Sequence, residues 1–314
     1  MAADVDAHRG GPGEGAAPPR ADASPIALFA SVSRLHIVAI ASLASLTFGW
    51  IFSGRYLWAA PVFAAFDWFF VNLTNRVADV AEDKQNGIRG VGFVERHARA
   101  LTVLSFAVLV GSMVVGFFVL PRSMQPLRVA FHLIGLAYNY RILPGRRRFK
   151  ETYFFKNTMS GVLFMLSVFA YPLCLMGWGG FAPGVGWVTV AALAAFFFPF
   201  EISYEVLYDL RDAEGDRAFG IPTYPAVHGA AVAVRIVDAL IAFACVSLVG
   251  SYALGLVPWR GVVMVVAPLI QLAVYKHAHR TRRVEARDCI RLTWIGALLL
   301  FAYQLWILLR LPGV

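Results

Sequence analysis

Nine apolar segments, each long enough to cross a lipid bilayer, constrain this sequence more than any other feature. They lie at about 26–50, 57–80, 101–120, 127–143, 158–178, 185–207, 226–254, 261–275 and 292–309. About 20 residues of α-helix span the hydrocarbon core. Because hydrocarbon offers no partner to backbone polar groups, segments of this length must form helices. The sequence therefore predicts an all-α membrane protein, a bundle of about nine transmembrane helices.

The composition excludes several other classes of protein. Hydrophobic residues make up 59% of the chain and charged residues 15%, which is too apolar for an ordinary soluble domain. The net charge of +9 would suit nucleic acid, but the basic residues cluster between apolar segments instead of forming a stripe. The three cysteines, Cys174, Cys245 and Cys289, have no paired spacing for disulfides or zinc. We expect no nucleic-acid partner.

The distribution of basic residues predicts the orientation of the chain in the membrane. They concentrate in loops that follow even-numbered segments, at 76–99, 141–156, 211–217 and 276–291, whereas the opposite loops carry only Arg55, Arg122, Arg128 and Arg260. Cytoplasmic loops carry the excess of Lys and Arg. We therefore expect the even loops on the cytoplasmic side, and an odd helix count places the C-terminus outside. Residues 1–25, rich in Gly, Pro and Ala, predict a disordered cytoplasmic tail before a membrane domain over 26–314.

Two acidic clusters lie where apolar segments meet cytoplasmic loops. NRVADVAED closes the second segment and YDLRDAEGD closes the sixth. Each contributes three side chains at helical spacing: Asn75, Asp79 and Asp83, and then Asp209, Asp212 and Asp216. If the helices continue through the clusters, each set projects from one face.

Like charges at these spacings repel each other, so the clusters need a positive partner. Oxygen ligands from Asp and Asn suit Mg²⁺, which typically bridges carboxylates to the phosphates of a substrate. The six side chains are therefore candidate metal ligands that would hold a pyrophosphate between metal ions. The alternative is that the acids are solvated helix ends paired with Arg76, Lys84 and Arg211.

A basic loop, YNYRILPGRRRFKETYFFKN, separates the fourth and fifth segments. Most of its charges are explained by topology alone. Some lie at helix ends, where they would neutralise the charge of a departing phosphate. The candidates for binding pyrophosphate are Asn75, Arg34, Lys84, Arg141, Lys150, Lys156, Asn157 and Tyr138. Arg34, with Glu201 and Glu205 in line with the second cluster, would extend the polar cavity.

The clusters resemble the motifs of the UbiA-type superfamily of intramembrane prenyltransferases. That family's first motif, Asn-x-x-x-Asp-x-x-x-Asp, matches Asn75, Asp79 and Asp83, and its second, Asp-x-x-x-Asp, matches Asp212 and Asp216. The stretch DLRDAEGDRAFGIPTYPAVHG is similar to the family's longer second motif, and the loop ending in Lys156 and Asn157 resembles the family's loop after the fourth helix. Arg34 falls where members often carry an arginine. The common first motif has Asn-Asp, whereas here Arg76 follows the asparagine.

The resemblance implies a helical bundle around a central cavity open to the bilayer, in which a prenyl diphosphate binds. Mg²⁺ on the two motifs, with Asp79, Asp83, Asp212 and Asp216 as catalytic residues, would stabilise the departing pyrophosphate. The allylic carbon is then attacked by a small lipophilic acceptor, which in this family is most often an electron-rich aromatic ring.

The resemblance leaves several functions open. The leading prediction is a Mg²⁺-dependent prenyltransferase for an aromatic acceptor or quinone precursor, in a bacterial-type inner (plasma) membrane with its active site toward the cytoplasm. Within the same fold, the acceptor would instead be a phosphorylated sugar, a glycerol lipid, haem or, in a terpene cyclase, the substrate's own double bond. A transporter whose acids bind coupling cations is the alternative from another class.

Overall fold

The structure, a computed structural model, describes residues 24–281 and 283–311. The disordered tail predicted for residues 1–25 lies outside these residues except for its last two positions. Those two begin a helix, because the Ser24 hydroxyl accepts a hydrogen bond from the Ala27 N–H (3.3 Å) and Pro25 occupies the first turn. Serine before and proline within the first turn are favoured at helix starts.

Fifteen α-helices form within the described residues, joined by short turns. Their bounds are α1 Pro25–Val32, α2 Leu35–Ser53, α3 Ala59–Ala78, α4 Val80–Gln85, α5 Val91–Arg96, α6 Ala98–Val119, α7 Met124–Asn139, α8 Phe155–Met165, α9 Tyr171–Leu175, α10 Trp187–Ala218, α11 Tyr224–His228, α12 Ala230–Ala253, α13 Trp259–Val262, α14 Val266–Thr281 and α15 Ala286–Leu308. A π-helical turn, Leu166–Ala170, joins α8 to α9. The described residues contain no β-strand.

Seven helical stretches are long and apolar enough to cross a membrane. They are Leu35–Ser53, Ala98–Val119, Phe155–Leu175, Trp187–Ala218, Ala230–Ala253, Trp259–Thr281 and Ala286–Leu308. The prediction of an all-α membrane protein is confirmed, but the count of nine spans is not. Helix α3 falls outside the set because polar residues such as Asp67 and Asn72 lower its hydropathy, and α7 has only 16 residues.

Two predicted segments end or divide at residues of the candidate site. The first segment, expected over 26–50, divides into α1 and α2 at Arg34, whose φ of 48° is left-handed. The second, expected over 57–80, ends at Ala78 because Asp79 has φ −106° and ψ 19°, outside the helical region. A left-handed non-glycine residue is strained and marks a functional site in many proteins.

The helices differ in how much of their surface other helices cover. About two-thirds of α2 is buried, whereas only 17% of α6 is. Phe117 and Phe118 on α6 are among the most exposed aromatic side chains. Helices α2, α3, α8 and α10 therefore form the interior, and α6 presents the outward apolar surface that a bilayer would cover.

A buried ionic cluster joins four helices far from the acidic clusters. Arg128, which the sequence analysis placed in a loop, lies inside α7 with no exposed surface, and its Nη2 and Nε lie 2.5 and 3.0 Å from the carboxylate of Asp67 on α3. The Tyr171 hydroxyl donates to the same carboxylate (2.8 Å), and Arg128 also donates to the Ser112 carbonyl on α6 (2.9 Å). A paired, fully hydrogen-bonded charge is tolerated at membrane depth. The positive charge of Arg128 therefore lies inside the bundle and does not indicate which side of the membrane a loop occupies.

The ends of the interior helices meet at one end of the bundle. A single cavity is lined there by the C-terminal parts of α3 and α7, the N-terminal part of α2, the second half of α8 and the middle of α10. This arrangement places both acidic clusters and the basic loop at the same level.

Candidate active site

The first acidic segment does not form the continuous row that its spacing predicts. The Asn75 side-chain amide donates to Asp79 Oδ2 (2.6 Å) and to Asn139 Oδ1 of α7 (2.9 Å). Asp83 lies in the short helix α4 and accepts a hydrogen bond from Arg76 Nη1 (2.6 Å) instead. The row is divided because the helix is interrupted at Asp79. The expectation that Asn75, Asp79 and Asp83 share one face assumed a continuous helix, and the turn at Asp79 does not meet that condition.

The basic loop supplies the cations that contact this first segment. Lys150 Nζ lies 2.6 Å from Asp79 Oδ1 and also contacts Glu82, although Lys150 itself is only 2% exposed. Arg148 Nη1 lies 3.2 Å from Asp79 Oδ1, and its Nη2 lies 3.0 Å from Glu82 Oε1. Burial alone would lower the pKa of Arg148, but the carboxylates of Glu82 and Asp79 outweigh it and raise that pKa. Arg148 therefore stays charged beside Asp79 and Glu82.

The second acidic segment lies inside the uninterrupted helix α10. Lys156 Nζ bridges Asp209 Oδ1 (2.8 Å) and Asp216 Oδ2 (3.0 Å), which are two turns apart on one face. The Asn157 side-chain amide donates to Asp209 Oδ2 (2.8 Å). Asp212 forms its ion pair with the adjacent Arg211 instead. The predicted common face is thus present for Asp209 and Asp216, both bound by the first turn of α8.

Two of the predicted pyrophosphate ligands lie away from these contacts. The Lys84 side chain is half exposed and pairs with Glu95 (2.6 Å) on the bundle surface. Arg141 is 66% exposed on its side chain and pairs with Glu151 (3.0 Å). Burial would raise the pKa of Glu151, but hydrogen bonds from the Arg148 backbone and side chain outweigh it and lower that pKa. Neither Lys84 nor Arg141 therefore contacts the acidic segments.

A cavity extends from these polar groups into the apolar interior. Arg34, Tyr138 and Asn75 line its polar part, as the sequence analysis predicted for a pyrophosphate site. Its apolar walls are formed by Ile37, Ile40, Trp68, Val71, Leu163 and Phe164. A polar entrance with apolar walls matches an amphiphile that has a charged head and a hydrocarbon tail.

Three residues of this arrangement were not among the predicted site residues. Glu82 contacts both cations of the loop, Arg148 had been assigned to topology alone, and Asn139 orients Asn75 by the hydrogen bond given above. Arg76 had been named as a departure from the family motif and as a possible partner of the acids, and it is 2% exposed and pairs with Asp83. The spacing of Glu82, three residues after Asp79, is the signal that could have identified it.

The donor chemistry fits a hard divalent cation. In the described ranges no three His, Cys, Asp or Glu side chains are positioned around one metal point. The carboxylates instead face the ammonium and guanidinium groups of Lys150, Arg148 and Lys156, which occupy their oxygens. All the acidic donors are oxygens, the ligand type that Mg²⁺ selects, and Mg²⁺ needs only one or two carboxylates beside substrate phosphates and water.

The comparisons with known proteins agree with this geometry. The sequence profile of the UbiA prenyltransferase family matches residues 35–305. The chain belongs to this family. It is an integral membrane enzyme of prenyl transfer, and the expectation from the motifs is confirmed at this level. The match begins one residue after Arg34. A search of curated protein sequences finds no match.

Solved structures of UbiA homologues share the fold. One from Archaeoglobus fulgidus bound to DMAPP and Mg²⁺ has a TM-score of 0.65 and 16% identity, covering 88% of this chain and 96% of that one. A structure of a UbiA homologue from Archaeoglobus fulgidus bound to GPP and Mg²⁺ has a TM-score of 0.64 and 16% identity, covering 88% of this chain and 97% of that one. A structure of a digeranylgeranylglyceryl phosphate synthase has a TM-score of 0.54 and 16% identity, covering 88% of this chain and 96% of that one. At this identity the likeness establishes the architecture alone.

Proposed function

We propose that this enzyme transfers a prenyl group from a prenyl diphosphate to an aromatic or quinone-precursor acceptor and releases pyrophosphate, with Mg²⁺ as cofactor. One observation carries the proposal: Asp79 is bound by the buried Lys150, and the Asp209–Asp216 face by the largely covered Lys156, at the polar end of an apolar-walled cavity. Lysines already placed on carboxylates form a site in which anionic phosphate and cationic metal can both be bound.

The residues that would hold Mg²⁺ are Asp79, with Asn75 and Glu82, on one side and Asp209, Asp212 and Asp216 on the other. When bound, Mg²⁺ supplies positive charge to the leaving pyrophosphate. Asp83 and Asp212 could bind the metal directly only if their ion pairs with Arg76 and Arg211 were broken. Asp79 and Asp216 are also ion-paired, but with Lys150 and Lys156, which would bind the pyrophosphate instead, so these two carboxylates are the stronger candidates for direct ligands.

The basic residues of the chain would orient and neutralise the departing group. Lys150, Arg148 and Lys156 converge on the two acidic segments and Arg34 lines the cavity beside them. Donors aimed at the position where charge develops lower the barrier without reorganisation. Ionisation then needs no nucleophilic side chain.

The cavity walls would bind the prenyl chain and protect the allylic cation. Trp68 and Phe164 pack with their ring centroids 4.3 Å apart and their planes tilted by 38°, and they line the cavity with Tyr138. Aromatic faces attract cations through their quadrupole, and a dry apolar wall excludes water from the carbocation. The same faces can stack against an aromatic acceptor, which supports that acceptor class.

The membrane orientation that we propose places this site at the cytoplasmic face of a bacterial-type inner membrane. The basic loops of residues 76–99, 141–156 and 276–291 support it under the positive-inside rule. Because Arg128 is internal, fewer charges remain on the opposite side than the sequence alone indicated.

Pyrophosphate release by the purified enzyme in lipid nanodiscs tests the proposal. Geranyl, farnesyl and longer diphosphates are offered with Mg²⁺ or with chelator, alone and with aromatic, glycerol-phosphate and sugar-phosphate acceptors. We expect metal-dependent release that requires an aromatic acceptor. Asp238→Asn, a carboxylate on α12 paired with Lys276 far from the cavity, is the matched control for Asp79→Asn.

Three results would change the assignment. Release that requires a phosphorylated acceptor would overturn the aromatic acceptor and keep the transferase. Release without any acceptor would favour a cyclase. No release from any donor would contradict the proposal.

A further inference from the structure

Gly215, within the second acidic segment, is the described glycine that another side chain approaches most closely. It is buried near the end of α10, between Asp212 and Asp216. A Cβ atom added at this position would lie 2.8 Å from both Cγ and Nδ2 of Asn86 and closer still to its Oδ1. The Asn86 carboxamide therefore lies directly against the bare Cα of Gly215, in space that the side chain of any other residue would fill.

The backbone conformation does not explain why glycine occupies this position. Gly215 is not among the glycines with a positive φ, and its carbonyl accepts the helical hydrogen bond from the Phe219 N–H (3.0 Å). Glycine within a helix is less favourable than alanine. The close approach of Asn86 is therefore what requires glycine at this point of α10.

Asn86 belongs to the first acidic segment, because it ends the short helix α4. Its backbone N–H bonds to the Glu82 carbonyl (3.0 Å). Gly87 follows with a φ of 61°, and the Ile88 N–H bonds to the Asp83 carbonyl (2.9 Å). This arrangement is a Schellman turn, which fixes Asn86 to the last turn of α4. A displacement of Asn86 therefore also displaces Glu82 and Asp83.

The packing of α4 on α10 is not held by polar contacts. The acids of α4 bond to the basic loop and to α3, and among the described residues no hydrogen bond or ion pair joins α4 to α10. Because the helix is interrupted at Asp79, α3 does not fix the direction of α4 either. The contact of Asn86 with Gly215 therefore relates the first acidic segment to the second.

We propose that Asn86 and Gly215 are positioning residues that set the separation between the metal ligands of the first segment and those of the second. A pyrophosphate bound through both segments has a fixed length, so a methyl group added at this contact weakens its binding by displacing α4. A misplacement of about 1 Å can lower catalysis about 100-fold. This inference rests on the proposed function, because the separation matters only for a ligand that both segments bind.

Equilibrium binding of inorganic pyrophosphate with Mg²⁺ to the protein in nanodiscs tests the contact without any prenyl donor. We expect Gly215→Ala to raise the Kd of pyrophosphate at least tenfold. Asn86→Ala should raise it only about threefold, because this change removes the contact without pushing α4 away from α10. In Gly215→Ala/Asn86→Ala all three crowded atoms are absent, so the Kd should return to that of Asn86→Ala.

Gly250→Ala is the matched control for Gly215→Ala. Gly250 is the fourth residue from the end of α12, as Gly215 is of α10, and nothing lies within 4 Å of a Cβ added there. This variant should keep the Kd of the wild type. Asn86→Gln lengthens the side chain at the same contact and should raise the Kd as much as Gly215→Ala does. It tests the contact even if Gly215→Ala does not fold.

Thermal unfolding without metal separates positioning from a general loss of stability. A positioning role predicts weaker pyrophosphate binding in protein that melts at the temperature of Gly250→Ala, and recovery of binding in the double variant. The inference is overturned if Gly215→Ala or Asn86→Gln binds pyrophosphate as tightly as the wild type. It is also overturned if the double variant binds no better than Gly215→Ala, or if the wild type binds no pyrophosphate at millimolar concentration.

The two proposals fail separately. If pyrophosphate binding follows the expected order but no donor ever releases pyrophosphate, the transferase proposal fails and the positioning role stands. If a donor releases pyrophosphate in the presence of an acceptor while the Gly215 and Asn86 variants bind pyrophosphate like the wild type, the positioning role fails and the transferase proposal stands.

Discussion

The two acidic segments have similar spacing in sequence but different structures. The segment that begins at Asn75 is interrupted at Asp79, so its carboxylates are held in separate directions by Lys150 and Arg76. The segment that ends at Asp216 lies within a 32-residue helix and keeps two carboxylates on one lysine. Helical spacing predicts a common face only where the helix is continuous.

The difference between the segments also appears in how their charges are balanced. Asp79 belongs to a network of three acids and two cations, in which Lys150 contacts Asp79 and Glu82, and Arg148 contacts both of these and Glu151. Asp209 and Asp216 share Lys156 alone. The first segment can therefore lose one cation and keep another, whereas the second cannot.

The largest effect should come from removing one direct carboxylate in either segment. We expect Asp79→Asn and Asp216→Asn each to lower kcat by about 100- to 1000-fold, because each removes charge at the position where pyrophosphate departs. Turnover in nanodiscs measures this, with thermal unfolding to verify folding and Asp238→Asn as control. Activity within twofold of wild type in both variants would refute the shared role of the two segments.

A smaller difference should separate the lysines of the two segments. Lys156→Gln is expected to lower kcat by about 100-fold, because no second cation contacts Asp209 and Asp216. Lys150→Gln should lower kcat only about tenfold, because Arg148 still contacts both Asp79 and Glu82, the two carboxylates that Lys150 contacts. Equal losses of kcat in the two single variants would show that Arg148 does not compensate for the loss of Lys150. The double variant Arg148→Gln/Lys150→Gln should lose as much kcat as Lys156→Gln.

Asp83 should affect folding more than chemistry. Its pair with Arg76 is buried, with side chains 11% and 3% exposed, and Arg76 also donates to the carbonyls of Ser31 (3.0 Å) and Arg89 (3.1 Å). Breaking a buried pair by removing one partner costs about 3–5 kcal/mol. We expect Asp83→Asn to lower the unfolding free energy by about that amount, while folded protein keeps more activity than Asp79→Asn.

The Mg²⁺ dependence of Asp83→Asn separates the two interpretations of this residue. If Asp83 is held by Arg76 during turnover, the Mg²⁺ concentration for half-maximal activity should match wild type. A stable Asp83→Asn protein that needs more Mg²⁺ would indicate that Asp83 binds the metal. It would contradict the interpretation that Arg76 keeps Asp83 apart from Asn75 and Asp79.

The sequence predicted the class of fold and the location of the site better than its internal contacts. Apolar segment length and the acidic motifs depend on local composition, so the membrane bundle and the location of Lys150, Lys156 and Asn157 beside the acidic segments were predictable, while their role toward pyrophosphate stays a prediction. The helix break at Asp79 and the burial of Arg128 depend on tertiary partners, which spacing does not encode.

The smallest effects should come from the two basic residues that the sequence placed with pyrophosphate and the structure does not. Lys84 and Arg141 lie on the surface, where an exposed ion pair contributes about 0–1 kcal/mol. We expect Lys84→Ala and Arg141→Ala to change kcat and donor KM by less than about twofold, with any change in melting temperature reduced by added salt. Donor titrations at two ionic strengths measure this, with Lys150→Gln as the buried counterpart. A tenfold rise in donor KM for Lys84→Ala would mean that α4 turns inward when the donor binds, because in the present arrangement its ammonium group contacts Glu95 and no residue of the acidic segments. That result would make the first segment a mobile half of the site, opposite a second segment fixed by the continuous helix α10.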